Sequence, residues 1–343
     1  MIGVVLLNFG EPAEATLEAV VPFLERIFLT NASLEDASSA EAVRARCRQL
    51  AERRAPALIE EYHAIGGSPL NRQSEAQARA LAAELGRRGH DVRTYVANQF
   101  ADPMMEPVLR RARADGVERL VALPVYPVCG PSTNVAALAQ LADALAALGW
   151  GVPVAELSGW HRHPAYVALR ADGIRRSAAE AGIDLNAGGN RLVFSAHGTP
   201  MKYIEEGSRY ADYTEESCTA IAAAAGVARW ELGYQNHGNR AIEWTQPSID
   251  RLIAGLEAET VVVVPVSFMH EQSETLSELD IELRREAEAR GLAFHRVPVP
   301  HDDPRFASIL AELVESALAA GAGPVPLRRC RCRPEPATYC TNG

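Results

Sequence analysis

Nowhere in the 343 residues does an apolar run reach the roughly 18–20 residues that a bilayer-spanning helix needs, so no integral membrane segment is expected. The opening MIGVVLLNFGEP has no basic stretch and no cleavage site before its Gly-Glu-Pro turn. It reads as a first core strand rather than a secretion signal, and the expected compartment is the cytoplasm. Positive charge is short: 44 acidic side chains face 34 basic ones, a net charge of −10. That balance argues against a nucleic-acid partner, because phosphate binding needs a basic patch. The Gly-rich turn Ile65-Gly66-Gly67-Ser68-Pro69 has neither the Gly-x-Gly-x-x-Gly spacing of a dinucleotide site nor the lysine of a P-loop. Ser195 lacks the Gly-x-Ser-x-Gly elbow of a hydrolase, and its spacing from His197 makes a mutual hydrogen bond awkward. No residue-level repeat is visible.

What is present is an ordinary globular composition, 48% hydrophobic and 23% charged, long for one domain and comfortable for two. Short Val- and Leu-rich runs recur at Val4–Asn8, Val92–Asn98, Leu120–Val125, Val152–Leu157, Leu192–Ala196, Trp230–Tyr234, Val261–Phe268 and Ala293–Val297. They show little polar alternation, as strands covered on both faces do, and helical patterns such as Ser74–Arg88, Asn134–Leu148, His163–Ala181 and Glu274–Arg290 lie between them. The expected fold is α/β: two similar doubly wound, Rossmann-like parallel-sheet domains over residues 1–158 and 159–320, joined at the breaker-rich SGWHRHP. Residues 321–343 form a cysteine-bearing tail without an apolar period.

Ligands of doubly wound sheets sit beyond the carboxyl ends of the strands, so the residues after each run are the candidates. His197 ends one run and has a pKa suited to taking a proton near neutrality. A capping or core histidine is the competing reading. Glu274, Glu278 and Glu282 are spaced i, i+4, i+8, which in an α-helix lines three carboxylates on one face about 6 Å apart. Such a stripe is either a solvated face or a conduit for a cation or protons. Ser273 or Thr275 suits the helix N-cap. Of six cysteines, Cys47 and Cys218 fall in helical patterns and read as buried small residues. Cys330, Cys332 and Cys340 cluster in the last fourteen residues, which points to metal or redox chemistry.

Five segments in order resemble the ferrochelatase family: VVLLNFGEP, YHAIGGSPLNRQSEAQARAL, LPVYPVCGPST, FSAHGTPMKYIEEGSRY and VVPVSFMHEQSETLSELDIE. The resemblance spans about residues 3 to 300. It implies an enzyme, a lyase that inserts ferrous iron into protoporphyrin IX to give protohaem. Its catalytic pair would be His197 and Glu274, with Glu278 joining them as metal-binding residues. Porphyrin contacts would come from Asn8, Tyr126, Ser132 and Thr133. The resemblance further implies a [2Fe–2S] centre on Cys330, Cys332 and Cys340 with Cys129 as the fourth ligand, its charge offset by Arg328, Arg329, Arg331 and Arg333. A zinc site and unligated redox thiols are the alternatives there. Departures from the family pattern are Gln272 in place of an imidazole, and Gln99 and His237 in place of arginines. Two other functions stay open: a coproporphyrin ferrochelatase and a non-catalytic tetrapyrrole or metal carrier. The expected partners are porphyrin and ferrous iron, and a homodimer is left open.

Overall fold

The computed structural model describes residues 1–35, 39–236 and 242–342. The chain opens with β1 (Ile2–Asn8), then a helical pair, α1 (Leu17–Thr30) and α2 (Ala40–Ala64), and α3 (Leu70–Arg87). It continues through β2 (Val92–Asn98), α4 (Met105–Ala114), β3 (Arg119–Pro124), α5 (Ala136–Ala147), β4 (Val154–Leu157) and α6 (Pro164–Glu180). Next come β5 (Asn190–His197), α7 (Met201–Glu205), α8 (Tyr210–Ala225), β6 (Trp230–Gln235), α9 (Ile249–Ala254) and β7 (Thr260–Pro265). A π-helix spans Glu274–Leu283 and runs into α10 (Arg284–Ala289). The chain closes with β8 (Ala293–Arg296), α11 (Pro304–Leu318), β9 (Arg328–Arg329) and β10 (Thr338–Cys340).

Two sheets result, ordered β2-β1-β3-β4-β10-β9 and β6-β5-β7-β8; every pairing is parallel except β10 with β9. The unbroken apolar runs explain the parallel order. Val4 and Leu6 of β1 point into one core and Val5 and Leu7 into another, all four fully buried, so neither face needs polar residues. The core holding Val4 and Leu6 also takes in Phe194, Val262 and Val264, so apolar packing is continuous from one sheet to the other. In each sheet the chain builds outward from its first strand on one side, then on the other. The switch points lie between β1 and β3 and between β5 and β7, where doubly wound folds bind ligands.

The tail is stitched into the first sheet. Thr338 of β10 pairs with Glu156 of β4, and the buried Glu156 carboxylate accepts two bonds from Arg333 at 2.8 and 3.1 Å. Arg333, expected beside the cysteine centre, is paired with Glu156 and also interacts with the charge of Cys330. Arg329 is likewise stacked on the Tyr339 ring at 5.3 Å. No helix among the described residues is long and apolar enough to cross a membrane.

Candidate active site and cysteine centre

A cleft that encloses about 1630 Å³ with its mouth opens at the two switch points. One wall is apolar, built by Phe23, Leu24, Ile27 and Phe28 of α1, Leu58 of α2, and Phe9. The polar positions come from strand ends. Asn8 closes β1, Tyr126 follows β3, and Ser132 and Thr133 lie in a π turn at Pro131–Val135. His197 closes β5, and Glu274 and Glu278 come from the π-helix. The cleft thus gathers all seven of these sequence-predicted positions. Gly10 makes the first turn possible: its φ is +76°, and a Cβ there would lie 2.6 Å from the Cβ of Asn98.

His197 is half-buried and held through its backbone. Its N–H donates to Ser267 Oγ at 3.0 Å, and the Tyr210 hydroxyl donates to its carbonyl at 2.9 Å. The edge of its ring meets Phe268, with centroids 6.2 Å apart at 84°. Behind it, the Gly198 N–H donates to the Gln235 carbonyl at 2.7 Å; a Cβ on Gly198 would lie 1.8 Å from Asn236 Oδ1. Ser195 is turned away and donates to Gln235 Oε1 at 2.8 Å, which disposes of the hydrolase geometry.

The acidic stripe differs from expectation in its helix type. Residues 274–283 form a π-helix, whose wider turn closes i→i+5 hydrogen bonds and often marks functional sites. Ser273 does not cap it. Ser273 has helical backbone angles, and its hydroxyl instead touches Glu11 Oε1 at 2.8 Å and Glu274 Oε2 at 3.1 Å. Thr275 Oγ1 accepts from the Gln272 N–H at 2.9 Å and returns a bond to the Gln272 carbonyl at 3.1 Å. Gln235 Nε2 donates to Glu278 Oε2 at 2.8 Å and to the Glu274 carbonyl at 2.9 Å.

Burial, with Glu274 close by, pushes the carboxyls of Glu11 and Glu278 up to about 8. Glu282 is also raised, by burial and then by Glu61. It lies outside the cleft, in a second cavity with Glu286, Asp250 and Glu61 that Glu278 also lines. Arg54 borders both cavities and binds Glu61 at 2.8 Å.

Glu11 is the residue that sequence reasoning missed. It stands in the turn after β1, but its partners Tyr62, Ser68 and Ser273 are far away in the chain, and no local spacing announces them. Gln99 accepts from the Tyr126 hydroxyl at 2.9 Å and Gln272 lines the cleft. His237 lies outside the described residues.

The cysteines converge at the far side of the Tyr126-Pro127 segment. The Sγ atoms of Cys129, Cys330 and Cys332 all lie within 4.8 Å of one another, and Cys340 hydrogen-bonds to Cys330. Bonds from Cys129, Cys332 and Cys340 hold the Cys330 thiol far below its usual range. Ser158 Oγ sits 2.9 Å from Cys129 Sγ, and Gly159 leaves the space beside it: a Cβ there would lie 2.9 Å from the Cys129 Cβ. Such a soft sulfur donor set suits iron–sulfur or zinc binding. Cys47 and Cys218 are fully buried.

A two-sheet α/β fold with an apolar cleft that joins an imidazole to carboxylates defines a protein able to hold a flat apolar ligand while handling a cation and protons. The comparisons give that class a family. The ferrochelatase family model matches residues 1–318. A ferrochelatase of Synechococcus sp. (strain RCC307) is 35% identical over 339 residues, covering 93% of this chain and 83% of that one. A ferrochelatase of Geotalea daltonii is 30% identical over 323 residues, covering 93% and 98%. In fold, the chain is similar to SirB from Bacillus subtilis with Fe3+, at a TM-score of 0.52 and 10% identity, covering 93% and 97%. The chain belongs to the ferrochelatase family, and so to the metal-chelating lyases of tetrapyrrole biosynthesis.

Proposed function

We propose that this chelatase inserts ferrous iron into protoporphyrin IX in the cytoplasm, giving protohaem and two protons. The observation that carries the substrate choice is electrostatic. Arg54 is the one arginine or lysine lining the cleft among the described residues, and it is already bound to Glu61. A tetracarboxylate such as coproporphyrin needs several cationic groups. Two propionates can be met by the neutral donors Asn8, Tyr126, Ser132 and Thr133.

In this reading the α1 wall takes one face of the macrocycle and excludes water. His197 and Glu274 are the catalytic pair. Glu274 and Glu278 present oxygens to the cation, His197 presents nitrogen, and these groups replace its water. His197 accepts a pyrrole proton as the metal enters, and the second proton leaves through the carboxylates. Exclusion of water from the slot strengthens each of these contacts. Residues 1–158 and 159–320 are read as the two domains that frame the cleft, and 321–343 as the segment that completes the cysteine centre.

Cys129, Cys330, Cys332 and Cys340 would hold a [2Fe–2S] cluster, which when bound supplies one-electron chemistry and ties the tail to the Tyr-Pro segment. The Ser158 hydroxyl shares a hydrogen bond with the sulfur of Cys129, and Gly159 keeps the room beside it.

The test is anaerobic iron insertion into both porphyrins. The reading expects kcat/KM for protoporphyrin to exceed that for coproporphyrin by at least about tenfold, the worth of one well-formed charge contact. Preference for coproporphyrin would reassign the substrate, and turnover of neither would favour a carrier. Visible absorbance with iron and sulfide analysis tests the cluster; zinc without sulfide would replace it with a structural zinc site.

A further inference from the structure

One buried cation stands apart from the carboxylates of the cleft. Arg170, in α6, is 2% exposed, and among the described residues it makes no ion pair. Asp172, its acidic neighbour in the same helix, binds Arg175 and Arg305 instead. A buried charge without a counterion is expensive, so the groups that receive its hydrogen bonds matter. Nη2 donates to the Pro265 carbonyl, and Nη1 donates to the Phe268 carbonyl at 3.3 Å, with the Met269 sulfur 4.0 Å away. These partners lie at the end of β7 and in the turn that follows it.

The strand register explains why a side chain is needed there. The β7–β8 ladder runs as far as the Val297 N–H, which donates to the Val263 carbonyl at 2.9 Å. Parallel rungs repeat every second residue, so the next would join the Val299 N–H to the Pro265 carbonyl. Val299 donates instead to Glu271 Oε1 at 2.9 Å. Arg170 takes that place on Pro265 and reaches past it to Phe268, while Gln77 of α3 holds the far side of the turn through the Met269 carbonyl at 2.9 Å. The turn so held is the one that meets His197. Ser267 Oγ accepts from the His197 N–H at 3.0 Å and contacts the Tyr210 hydroxyl at 2.9 Å, and the Phe268 ring lies against the imidazole.

We propose that Arg170 is a positioning residue for metal insertion: by clamping the Pro265 and Phe268 carbonyls it fixes Ser267 and Phe268, and through them sets the angle of the His197 imidazole. It touches neither macrocycle nor metal. A reacting group displaced by about 1 Å loses on the order of a hundredfold in rate, so a clamp one layer behind the imidazole bears on the chemical step more than on binding. The inference rests on the chelatase reading and deepens it. A residue with a purely structural role would lower stability and leave the chemistry of the folded protein unchanged.

The test compares full-length native protein with Arg170→Met and Arg170→Lys by single-turnover iron insertion, by porphyrin binding followed through fluorescence, and by the NMR signals of the His197 ring, identified through their loss in His197→Ala. Methionine fills the space without a donor, whereas lysine keeps the charge and its donors on a single nitrogen, without the fork. Folded Arg170→Met should metalate protoporphyrin at least about thirtyfold more slowly with a porphyrin Kd within about twofold of native, and its His197 ring signals should move. Arg170→Lys should fall between the two. A native insertion rate and unmoved ring signals in folded Arg170→Met overturn the proposal, even if its urea midpoint drops. If Arg170→Met does not fold, Arg170→Lys decides: native rate and unmoved signals overturn the clamp, and a slower rate at native Kd with shifted signals supports it. Native protein that metalates no porphyrin sinks the chelatase reading, while the ring signals still report whether Arg170 positions His197, so the two failures are distinguishable.

Discussion

Replacing Gln235 by leucine removes three buried hydrogen bonds at once. Gln235 closes β6 at 3% exposure, accepting from Ser195 at 2.8 Å and donating to the Glu274 carbonyl at 2.9 Å and Glu278 Oε2 at 2.8 Å. Leucine nearly preserves the volume but strips the Ser195 hydroxyl and the Glu278 carboxyl of a buried partner and takes the extra bond from the Glu274 carbonyl, which also accepts within the π-helix. Each lost partner costs about 1–3 kcal/mol, and because the losses share one side chain they add incompletely, so the expected loss is about 3–4 kcal/mol. Urea denaturation should show a lower midpoint with an unchanged slope. The same bond opposes the burial that raises the Glu278 carboxyl to about 8, and because Glu278 acts as a carboxylate, loss of the bond should move the acid limb of the pH–rate profile upward. A Gln235→Leu protein within about 1 kcal/mol of native, with a superimposable pH profile, would refute the idea that this side chain holds the π-helix in place.

Three further outcomes follow from the same geometry. Burial lowers His161 and His163 to about 4, so the unfolded chain takes up their protons first; stability is complete above about pH 6.5 and falls toward pH 4 by up to roughly 3 kcal/mol for each. Glu11 and Glu278, raised to about 8, act in the opposite sense: their contribution is complete below about pH 4.5 and fades as pH rises to about 8. Melting temperatures across this range should show both slopes, Glu278→Gln should reduce only the second, and a flat acid limb would contradict the histidine assignment. Gly198→Ala forces a Cβ to 2.8 Å from the Gln235 carbonyl beside His197; it should cost about 1–3 kcal/mol and slow iron insertion about a hundredfold, so unchanged kinetics would refute this packing. Gly159→Ala places a Cβ 3.0 Å from the Cys129 backbone nitrogen, and the purified protein should carry less iron and sulfide; a native iron content would show that this spacing does not matter.

The sheets were legible where their strands are buried on both faces, which forces continuous apolar runs; the run Val4–Asn8 falls within β1, all of it buried. The strands β9 and β10 were not legible, since Arg328-Arg329 and Thr338-Tyr339-Cys340 carry no apolar period and depend on pairing with β4 and each other. The strand-end rule located Asn8, Tyr126, Ser132, Thr133 and His197, while the i, i+4 spacing located Glu274 and Glu278 but not the π-helix that carries them. Hydrogen-bond geometry inside a helix leaves little trace in spacing. Glu11 was hidden for a related reason: what makes it notable is its convergence with Tyr62, Ser68 and Ser273, a property of the tertiary fold. The cluster of Cys330, Cys332 and Cys340 was plain in sequence, whereas the pairing of Arg333 with Glu156 required the folded chain.

The most direct measurement is single-turnover metalation of protoporphyrin by anaerobic native protein, His197→Ala and Glu274→Gln, with porphyrin binding followed separately by fluorescence. The account predicts rapid appearance of the haem spectrum in native protein, and in both variants retained binding with insertion slowed by at least about a hundredfold, the usual worth of a positioned proton acceptor. Native-like insertion by His197→Ala would contradict it.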